Sequence, residues 1–318
     1  MRPILTVTLN PALDLATHVP SVAPGLKLRC TAPRLDPGGG GINVSRAISR
    51  LGGGSLAFVA LAGGTGAQVA EFLHSEGITL VTFPGPGETR QSLTVNEDTT
   101  GRQFRFMLPG TAWDAARIAA ASRALAEAAP LTGTVVLSGS NPPGLPDDFA
   151  ARLAAELAAR PESHARLVVD TSGKPLARIV AGPVPGLDLL RMDQEEAEEL
   201  AGHGLETAVA TADFASALVA RGVARRVIVA RGADGSVFVE PGLRLSSRPP
   251  RVEVVSKVGA GDSFVAGFVL SEARGAAPAE ALARGVAAAA AAVMTVGTEL
   301  CRRDDAERIY AGCITETV

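Results

Sequence analysis

The sequence predicts an α/β fold with a mostly parallel central sheet that is covered by helices on both faces. From Thr134 onwards, short apolar runs alternate with helical patterns, and alternation of this kind builds a parallel sheet. Loops rich in glycine or small polar residues follow three of these runs, at the sheet edge where α/β proteins bind ligands. The predicted strands are 135–138, 167–170, 187–190 and 227–230, and the predicted helices are 147–159, 174–180, 193–200 and 208–220.

Length, composition and charge exclude several classes of function. The chain has 318 residues, 47% of them hydrophobic and 20% charged, which is enough for a large core. A net charge of −3 gives no basic footprint for nucleic acid, and no apolar run is long enough to span a bilayer. We therefore expect neither nucleic acid nor a membrane as a partner.

Cysteine and histidine usage points to a reducing compartment. The three cysteines are an odd, scattered set, and a strand pattern begins directly at the N-terminus. Both features favour a cytoplasmic location without a signal peptide. The four histidines lack ligand spacing, so any metal is expected to be a hard cation on oxygen ligands.

The first half of the chain leaves the main sheet twice. Residues 4–9 and 57–61 read as buried strands, and the segments 15–36 and 83–108 read as small β excursions. The first excursion contains a β-like piece at 28–32. The second has two alternating strands, 92–95 and 103–107, joined by a hairpin turn at 98–101.

Two loops that lead into helices are candidate binding sites. Four consecutive glycines, 38–41, run into an amphipathic helix, and Asn43 in its first turn can hydrogen-bond a hydroxylated ligand. Gly259 and Gly261 form a second glycine turn before the apolar helix at 264–270, so that N–H groups and the helix dipole converge on an anion. Asp262 begins this helix, either as its cap or as a general base.

Charged residues elsewhere leave two interpretations open. Arg90 and Arg105 flank the hairpin, where they either clamp a phosphate or are ordinary surface arginines. Asp14 follows the first strand as a ligand residue or a turn former. Asp193 and Glu196 share a helix face, where they hold Mg²⁺ through water or stabilise the helix dipole.

The two glycine-rich segments, 38–43 and 258–263, resemble the two signatures of the PfkB sugar kinase (ribokinase-like) family. Further similarity lies in residues 27–33, 102–106, 138–144 and 300–305, and within the family it is greatest to the minor bacterial 6-phosphofructokinases. No P-loop motif and no G-x-G-x-x-G after a strand competes with this assignment. The resemblance covers nearly the whole chain.

The resemblance implies a ribokinase-like three-layer α/β/α sandwich, a single domain over residues 1–318. The two excursions, about 13–36 and 86–108, would form one small β-sheet lid over the active site, and lids of this kind pair to make a homodimer. ATP and Mg²⁺ would be the cofactors. Glu299 replaces an arginine near the family's monovalent-cation site, so dependence on K⁺ is left open.

Individual roles follow from the same resemblance. Asp262 would be the general base, next to an anion hole made by Gly259, Ala260 and Gly261. The sugar phosphate would contact Asp14, Lys27, Gly39, Asn43, Arg90, Arg105 and Ser140. ATP would contact Asp193, Arg231, Gly232, Gly235, Ser256 and Lys257, and Mg²⁺ would be held by Asp193 and Glu196 through water.

The expected activity is ATP-dependent phosphorylation of a ketohexose phosphate, fructose 6-phosphate being favoured, to give the 1,6-bisphosphate. Kinases of fructose 1-phosphate or tagatose 6-phosphate are the alternatives, and these tend to carry a lysine where this chain has Gly40. Asp193 replaces the family's usual asparagine, and Arg191-Met192 replaces Lys-Pro. The altered metal motif keeps a third hypothesis open, a sugar-phosphate-binding regulator without catalysis.

Overall fold

A computed structural model describes residues 1–297 and 299–318 of the chain. In that part of the chain the strands, in order, are β1 (Ile4–Thr8), β2 (Ala12–Val19), β3 (Arg34–Gly38), β4 (Leu56–Leu61), β5 (Thr79–Pro84), β6 (Arg90–Glu97), β7 (Gln103–Met107), β8 (Thr132–Ser138), β9 (His164–Asp170), β10 (Leu187–Asp193), β11 (Arg226–Ala230), β12 (Ser236–Glu240), β13 (Leu243–Arg248) and β14 (Ile314–Thr317).

Helices lie between the strands, four of them close to the positions predicted at 147–159, 174–180, 193–200 and 208–220. They are α1 (Gly40–Arg50), α2 (Gly63–Ser75), α3 (Ala115–Ala128), α4 (Phe149–Ala159), α5 (Gly173–Val180), α6 (Gln194–Ala201), α7 (Ala208–Ala220), α8 (Ala260–Ala273), α9 (Pro278–Val293) and α10 (Arg303–Tyr310), with a short 3₁₀ turn at Gly232–Asp234. Over the described residues, no helix combines the length and the apolar character that crossing a membrane requires.

The central sheet confirms the predicted α/β class. Ten strands of the described chain follow the order β14-β13-β12-β11-β10-β9-β8-β1-β4-β5. The seven strands from β11 to β5 pair in parallel, and β12, β13 and β14 add an antiparallel edge. Because the carboxyl ends of the parallel strands lie at one edge, the loops after β1, β8, β9 and β10 converge there.

Apolar residues on both faces of the sheet explain the three layers. On one face, Leu125 of α3, Leu153 of α4 and Leu218 of α7 belong to one buried cluster. On the other face, Phe268 of α8 and Val286 of α9 belong to a second. Strands covered on both sides must be apolar throughout, which is why they read as continuous hydrophobic runs.

A second, four-stranded sheet in the order β3-β2-β6-β7 corresponds to the predicted lid. The hairpin between β6 and β7 lies where the sequence places it, with Glu97 N donating to Arg102 O at 2.9 Å. The strand expected at 28–32 is wrong: those residues are irregular, and β3 begins at Arg34 after Pro33. Thr31 joins this exposed segment to β2: its N donates to His18 O at 3.0 Å, and its Oγ1 accepts from His18 N at 3.2 Å.

Candidate active site

The turn before α8 is shaped to hold an anion. Gly259 has a φ of 77°, a backbone conformation that favours glycine, and the helix begins at Ala260. Ser263 N donates to Gly259 O at 2.9 Å, so the N–H groups that precede Ser263 lie outside the ladder of intrahelical bonds. A β-carbon on Gly259 would lie 2.6 Å from Cδ2 of Leu300, which closes the back of the turn. Ala260 N has only a long bond of 3.4 Å to Lys257 O, so the N–H groups of the turn and the helix dipole together favour an anion such as a phosphoryl group.

Asp262 lies in the first turn of α8 and faces both the glycine loop and the strand ends. Its Oδ2 accepts a hydrogen bond of 3.0 Å from Nδ2 of Asn43. Burial raises the pKa of Asp262 to about 7, the negative charge of Asp170 adds to the rise, and Asn43, Arg191 and Ser138 oppose it. A carboxylate whose pKa lies near neutrality is suited to act as a general base. Gly259 occupies the N-cap position of α8, and among the described residues the Asp262 carboxylate accepts from the side chains of Asn43 and Ser138, which does not support the capping alternative.

The four-glycine run brings the backbone close to several neighbours at once. A β-carbon on Gly38 would lie 2.2 Å from Oδ2 of Asp14, and one on Gly40 would lie 2.3 Å from Oγ of Ser138. Gly39 has a φ of 126° and forms the N-terminal boundary of α1. The run therefore packs between the lid and the strand ends. Asn43, four residues further on, is buried, and its Oδ1 has no partner among the described residues, which leaves an acceptor for a ligand.

One face of the lid carries the predicted phosphate residues. Asp14 pairs with Ser92 between β2 and β6, and Arg105 pairs with Thr94 between β6 and β7, so these side chains share a face with Arg90. Nη1 of Arg90 donates to Ser92 Oγ at 3.1 Å. Burial raises the pKa of Asp14, against the opposing effect of the Arg90 and Arg105 charges. Asp14 thus belongs to a lid strand, and it is not the turn residue that the sequence allowed.

The loop after β8 and the lid meet through Asn10, which the sequence did not single out. Nδ2 of Asn10 donates to Oγ of Ser140 at 3.1 Å, and its carbonyl accepts from Nε of Arg90 at 3.3 Å. Ser140 and Arg90 are thereby held near each other. Lys27 lies in the exposed segment between β2 and β3, and the structure does not bring it together with this group among the described residues.

The predicted metal pair forms a capping box at the start of α6. Asp193 Oδ1 accepts from Glu196 N at 2.9 Å, and Glu196 Oε2 accepts from Asp193 N at 2.8 Å. Each carboxylate keeps its second oxygen for other partners. Burial raises the pKa of Glu196, and the charges of Asp193 and Asp170 add to the rise. Local crowding of negative charge of this kind is relieved by a bound cation.

The residues predicted to contact ATP have different surroundings. Arg231 is buried, and its guanidinium donates to Leu205 O at 2.7 Å and to Glu206 O at 2.8 Å, so its donors anchor the segment before α7. Gly232 begins the 3₁₀ turn, and a β-carbon on Gly235 would lie 1.9 Å from Ser247 O. Any contact of Arg231 or Gly235 with a nucleotide would therefore use backbone groups. Ser256 and Lys257 precede the anion-binding turn, and Lys257 is exposed.

The structure adds to the site two charged residues at strand ends, Asp170 and Arg191, which were not predicted as site residues from the sequence. Asp170 ends β9, and its Oδ1 forms an ion pair of 3.1 Å with Nη1 of Arg191 near the end of β10. Both side chains are largely buried, and both influence Asp262 electrostatically. Their positions at the carboxyl ends of neighbouring parallel strands are the signal that could have identified them.

The chain is similar to known proteins over most of its length. The model of the pfkB family carbohydrate kinases matches residues 8–305. An ATP-dependent 6-phosphofructokinase isozyme 2 of Mycobacterium tuberculosis is 40% identical over 309 residues, covering 96% of this chain and 88% of its own. A 1-phosphofructokinase of Xanthomonas campestris is 36% identical over 265 residues, covering 83% of this chain and 82% of its own.

Solved structures extend the likeness to the fold. Phosphofructokinase-2 of Escherichia coli in complex with potassium has a TM-score of 0.89 at 36% identity, and the match covers 98% of this chain and 99% of that one. The same protein in complex with fructose 6-phosphate has a TM-score of 0.87 at the same identity and coverage. With the family model spanning most of its length, this chain belongs to the pfkB family of carbohydrate kinases.

Proposed function

We propose that the protein is an ATP- and Mg²⁺-dependent 6-phosphofructokinase that transfers the terminal phosphoryl group of ATP to a hydroxyl of fructose 6-phosphate. The observation that carries the proposal is the placement of Asp262 between the anion-binding turn and Asn43. A base, an anion hole and a hydroxyl-binding amide are the parts that phosphoryl transfer to an alcohol needs.

The lid supplies the reason for a phosphorylated sugar. Arg90 and Arg105 share the face that carries Asp14, and a pair of guanidinium groups is suited to the dianionic phosphate of the substrate. A neutral sugar would not need that charge. We propose that Asp14 and Asn43 contact sugar hydroxyls, while Arg90, Arg105, Ser140 and Lys27 contact the distal phosphate.

The main alternative is a kinase of fructose 1-phosphate, the activity named for one relative of this chain. Enzymes of that kind tend to carry a lysine at the position of Gly40. A side chain at Gly40 would meet both Oγ of Ser138, at 2.3 Å, and the backbone N of Gly139, at 2.6 Å. The present loop has no room for it, which favours fructose 6-phosphate.

Mg²⁺ fits the carboxylates that the chain presents. Asp193 and Glu196 each keep one oxygen outside the capping box, and Mg²⁺ is typically bound through one or two carboxylates, water and substrate phosphates. Bound in this way, Mg²⁺ would neutralise charge on the phosphates of ATP. The sequence left dependence on K⁺ open, and we add it to the proposal because a relative was solved in complex with potassium.

The residues of the chain then divide the chemistry between them. Asp262 accepts the proton of the attacking hydroxyl, and Asn43 orients its carboxylate through the bond of 3.0 Å. The N–H groups at residues 259–261 stabilise negative charge on the transferred group. The lid holds the sugar phosphate so that the reacting hydroxyl lies next to Asp262 and bulk water is kept away.

A coupled assay that detects ADP, run with the three sugar phosphates, tests the proposal. We expect the highest kcat/KM with fructose 6-phosphate. A higher kcat/KM with fructose 1-phosphate or tagatose 6-phosphate would contradict the assigned substrate. Binding of a sugar phosphate without any turnover would instead support the regulator hypothesis.

We propose that each chain is a single domain over residues 1–318 and that two copies form a homodimer through the lid. Its face opposite Asp14 carries an aligned apolar row across all four strands, made of Leu35, Leu15, Leu93 and Phe106. Phe106 is 51% exposed. Leu35 and Leu15 already pack against the chain's own buried cluster, which includes Val69 and Leu73 of α2. The end of the row formed by Leu93 and Phe106 is therefore the part suited to bury itself against a second copy.

A further inference from the structure

Arg191 lies directly beneath the anion-binding turn. A β-carbon on Gly261 would lie 3.0 Å from Nη1 and 3.2 Å from Nη2 of Arg191, so the guanidinium packs against the side of Gly261 where a side chain would project. Arg191 reaches this position from β10, and Gly261 belongs to the first turn of α8. The contact therefore joins a strand end of the central sheet to the anion hole.

The guanidinium is fixed by one ion pair and is otherwise incompletely satisfied. Its Nη1 pairs with Asp170 Oδ1 at 3.1 Å, and its side chain is 14% exposed. Its Nε is buried without a hydrogen-bond partner among the described residues. Burial lowers the pKa of Arg191, but the charges of Asp170, Asp193 and Glu196 outweigh that effect and raise it. The side chain is a permanent cation held in one place.

Without the Arg191 cation, the negative charge of Asp170 beside Asp262 would have no positive partner among the groups that Asp262 faces. Asp262 faces Asn43 from α1, Ser138 from β8, Asp170 from β9 and Arg191 from β10. Of these groups, Asp170 is the anion and Arg191 is the cation. Asp170 disfavours the charged form of Asp262, and Arg191 favours it. Arg191 thus pairs with Asp170, the anion that disfavours ionisation of Asp262. It also packs against the backbone of the anion hole at Gly261.

We infer that Arg191 is a positioning residue for phosphoryl transfer: it offsets the charge of Asp170 beside Asp262 and supports Gly261 from below. The inference rests on the proposed role of Asp262 as the base. It gives a reason for arginine at this position, because the planar guanidinium can pair with Asp170 and pack against Gly261 at the same time.

The test compares Arg191→Met and Arg191→Lys with the wild type, using whichever ketohexose phosphate the wild type phosphorylates. We expect Arg191→Met to lower kcat by about 100-fold, with the sugar-phosphate KM changed by less than about threefold, because the effect lies in the transition state. The acid limb of its kcat–pH profile should move to higher pH. Arg191→Lys should recover part of kcat, since the charge is kept but the planar contact with Gly261 is lost.

A double variant shows whether the effect passes through Asp170. In Asp170→Asn, Arg191→Met the acid limb should return to the wild-type pH or below it, because the charge that Arg191 offsets is gone. Arg152→Met, which removes an exposed guanidinium that pairs with Asp148 far from the site, serves as the control and should keep the wild-type pH profile. Folding of each variant is checked by thermal melting, so that kcat refers to folded enzyme.

Three results would overturn the inference. The first is a kcat of folded Arg191→Met within about threefold of the wild-type value. The second is an acid limb of the Arg191→Met profile at the wild-type pH. The third is an acid limb of Asp170→Asn, Arg191→Met at the same pH as that of Arg191→Met. Absence of turnover by the wild type with all three sugar phosphates is a different result, and it would refute the proposed function.

Discussion

At the scale of single residues, Asp262 is the proposed base, and its burial has a cost in stability. Burial raises its pKa from the ordinary 3.8 to about 7. A group that binds its proton more tightly when folded contributes stability below its unfolded pKa, and this contribution is lost as pH rises through the folded pKa. The folded protein therefore holds an unfavourable carboxylate at pH 8, which it needs as the base.

Asp262→Asn should lower kcat by about 10²–10⁴-fold, because no base then accepts the hydroxyl proton. The same variant should gain stability over the wild type as pH rises from about 5 to about 8, by about 1–3 kcal/mol in the free energy of unfolding. Steady-state kinetics and urea unfolding at several pH values measure the two effects. A stability difference independent of pH would show that the pKa of Asp262 is ordinary.

The wild type itself should show a kcat that rises with pH through about 7 and then levels, since the base must be ionised. Rate measurements between pH 5.5 and pH 9 in buffers of constant ionic strength give the midpoint, for which about 7 is expected. A kcat that does not change over this range would mean that Asp262 is not desolvated in the enzyme that turns over.

At the scale of elements, the lid shows how far sequence reasoning reaches. The alternating strands and the hairpin turn were predictable, because period-two patterns and the Asp98–Gly101 turn are local signals. The position of β3 was not. Residues 28–32 have a strand-like composition, but Pro33 lacks an N–H, and the pairing of Arg34–Gly38 with β2 depends on the glycine run that follows.

Edge strands of the main sheet were missed for a similar reason. β5 pairs with β4 at one edge, and β12, β13 and β14 pair in antiparallel at the other. β5 and β14, the two edge strands, are only partly buried, so they lack the continuous apolar run that marks β8 to β11. β12 is buried between β11 and β13, but its apolar run is only three residues long. Their assignment depends on neighbours that are distant in sequence.

Arg105→Ala on β7 should mainly raise the KM for the sugar phosphate, by about 10–100-fold, with a smaller change in kcat. The guanidinium is expected to bind the phosphate that does not react, and a charge-assisted bond of this kind contributes about 1.5–3 kcal/mol. Gln103→Ala, two residues away on the same strand and face, is the matched control and should leave KM near the wild-type value. Equal KM values for the two variants would exclude Arg105 from the phosphate site.

At the scale of the whole molecule, the lid carries Asp14 on one face and the proposed dimer surface, which includes Phe106, on the other. Phe106→Glu places a charge on the proposed dimer surface and should shift the protein from dimer to monomer in light scattering coupled to gel filtration, because burying an unpaired charge is costly. Leu131→Glu alters a side chain that is 49% exposed outside the lid and should leave the mass unchanged. A monomeric wild type would contradict the proposed assembly.

Stability of the whole fold depends on a buried ionic network that no local pattern reveals. Arg226 of β11 is 2% exposed and pairs with Asp188 of β10 and Glu272 of α8, so it joins the sheet to a helix layer. Its guanidinium also lies 5.8 Å from the ring centroid of Phe268. These partners lie 38 and 46 residues away in sequence, which is why the network could not be predicted.

Arg226→Met should lower the free energy of unfolding by about 3–5 kcal/mol, because it leaves two buried carboxylates without their shared cation. Adding Glu272→Gln should recover part of the loss, since one of those charges is then removed. Arg152→Met breaks an exposed pair with Asp148 on α4 and should change stability by less than about 1 kcal/mol. Urea unfolding of the wild type and the variants measures these differences in the free energy of unfolding. If Arg226→Met cost no more than Arg152→Met, water would have to reach the network. The attachment of α8 to the sheet would then depend on apolar packing and on the ion pair of 3.6 Å between Arg166 and Glu272.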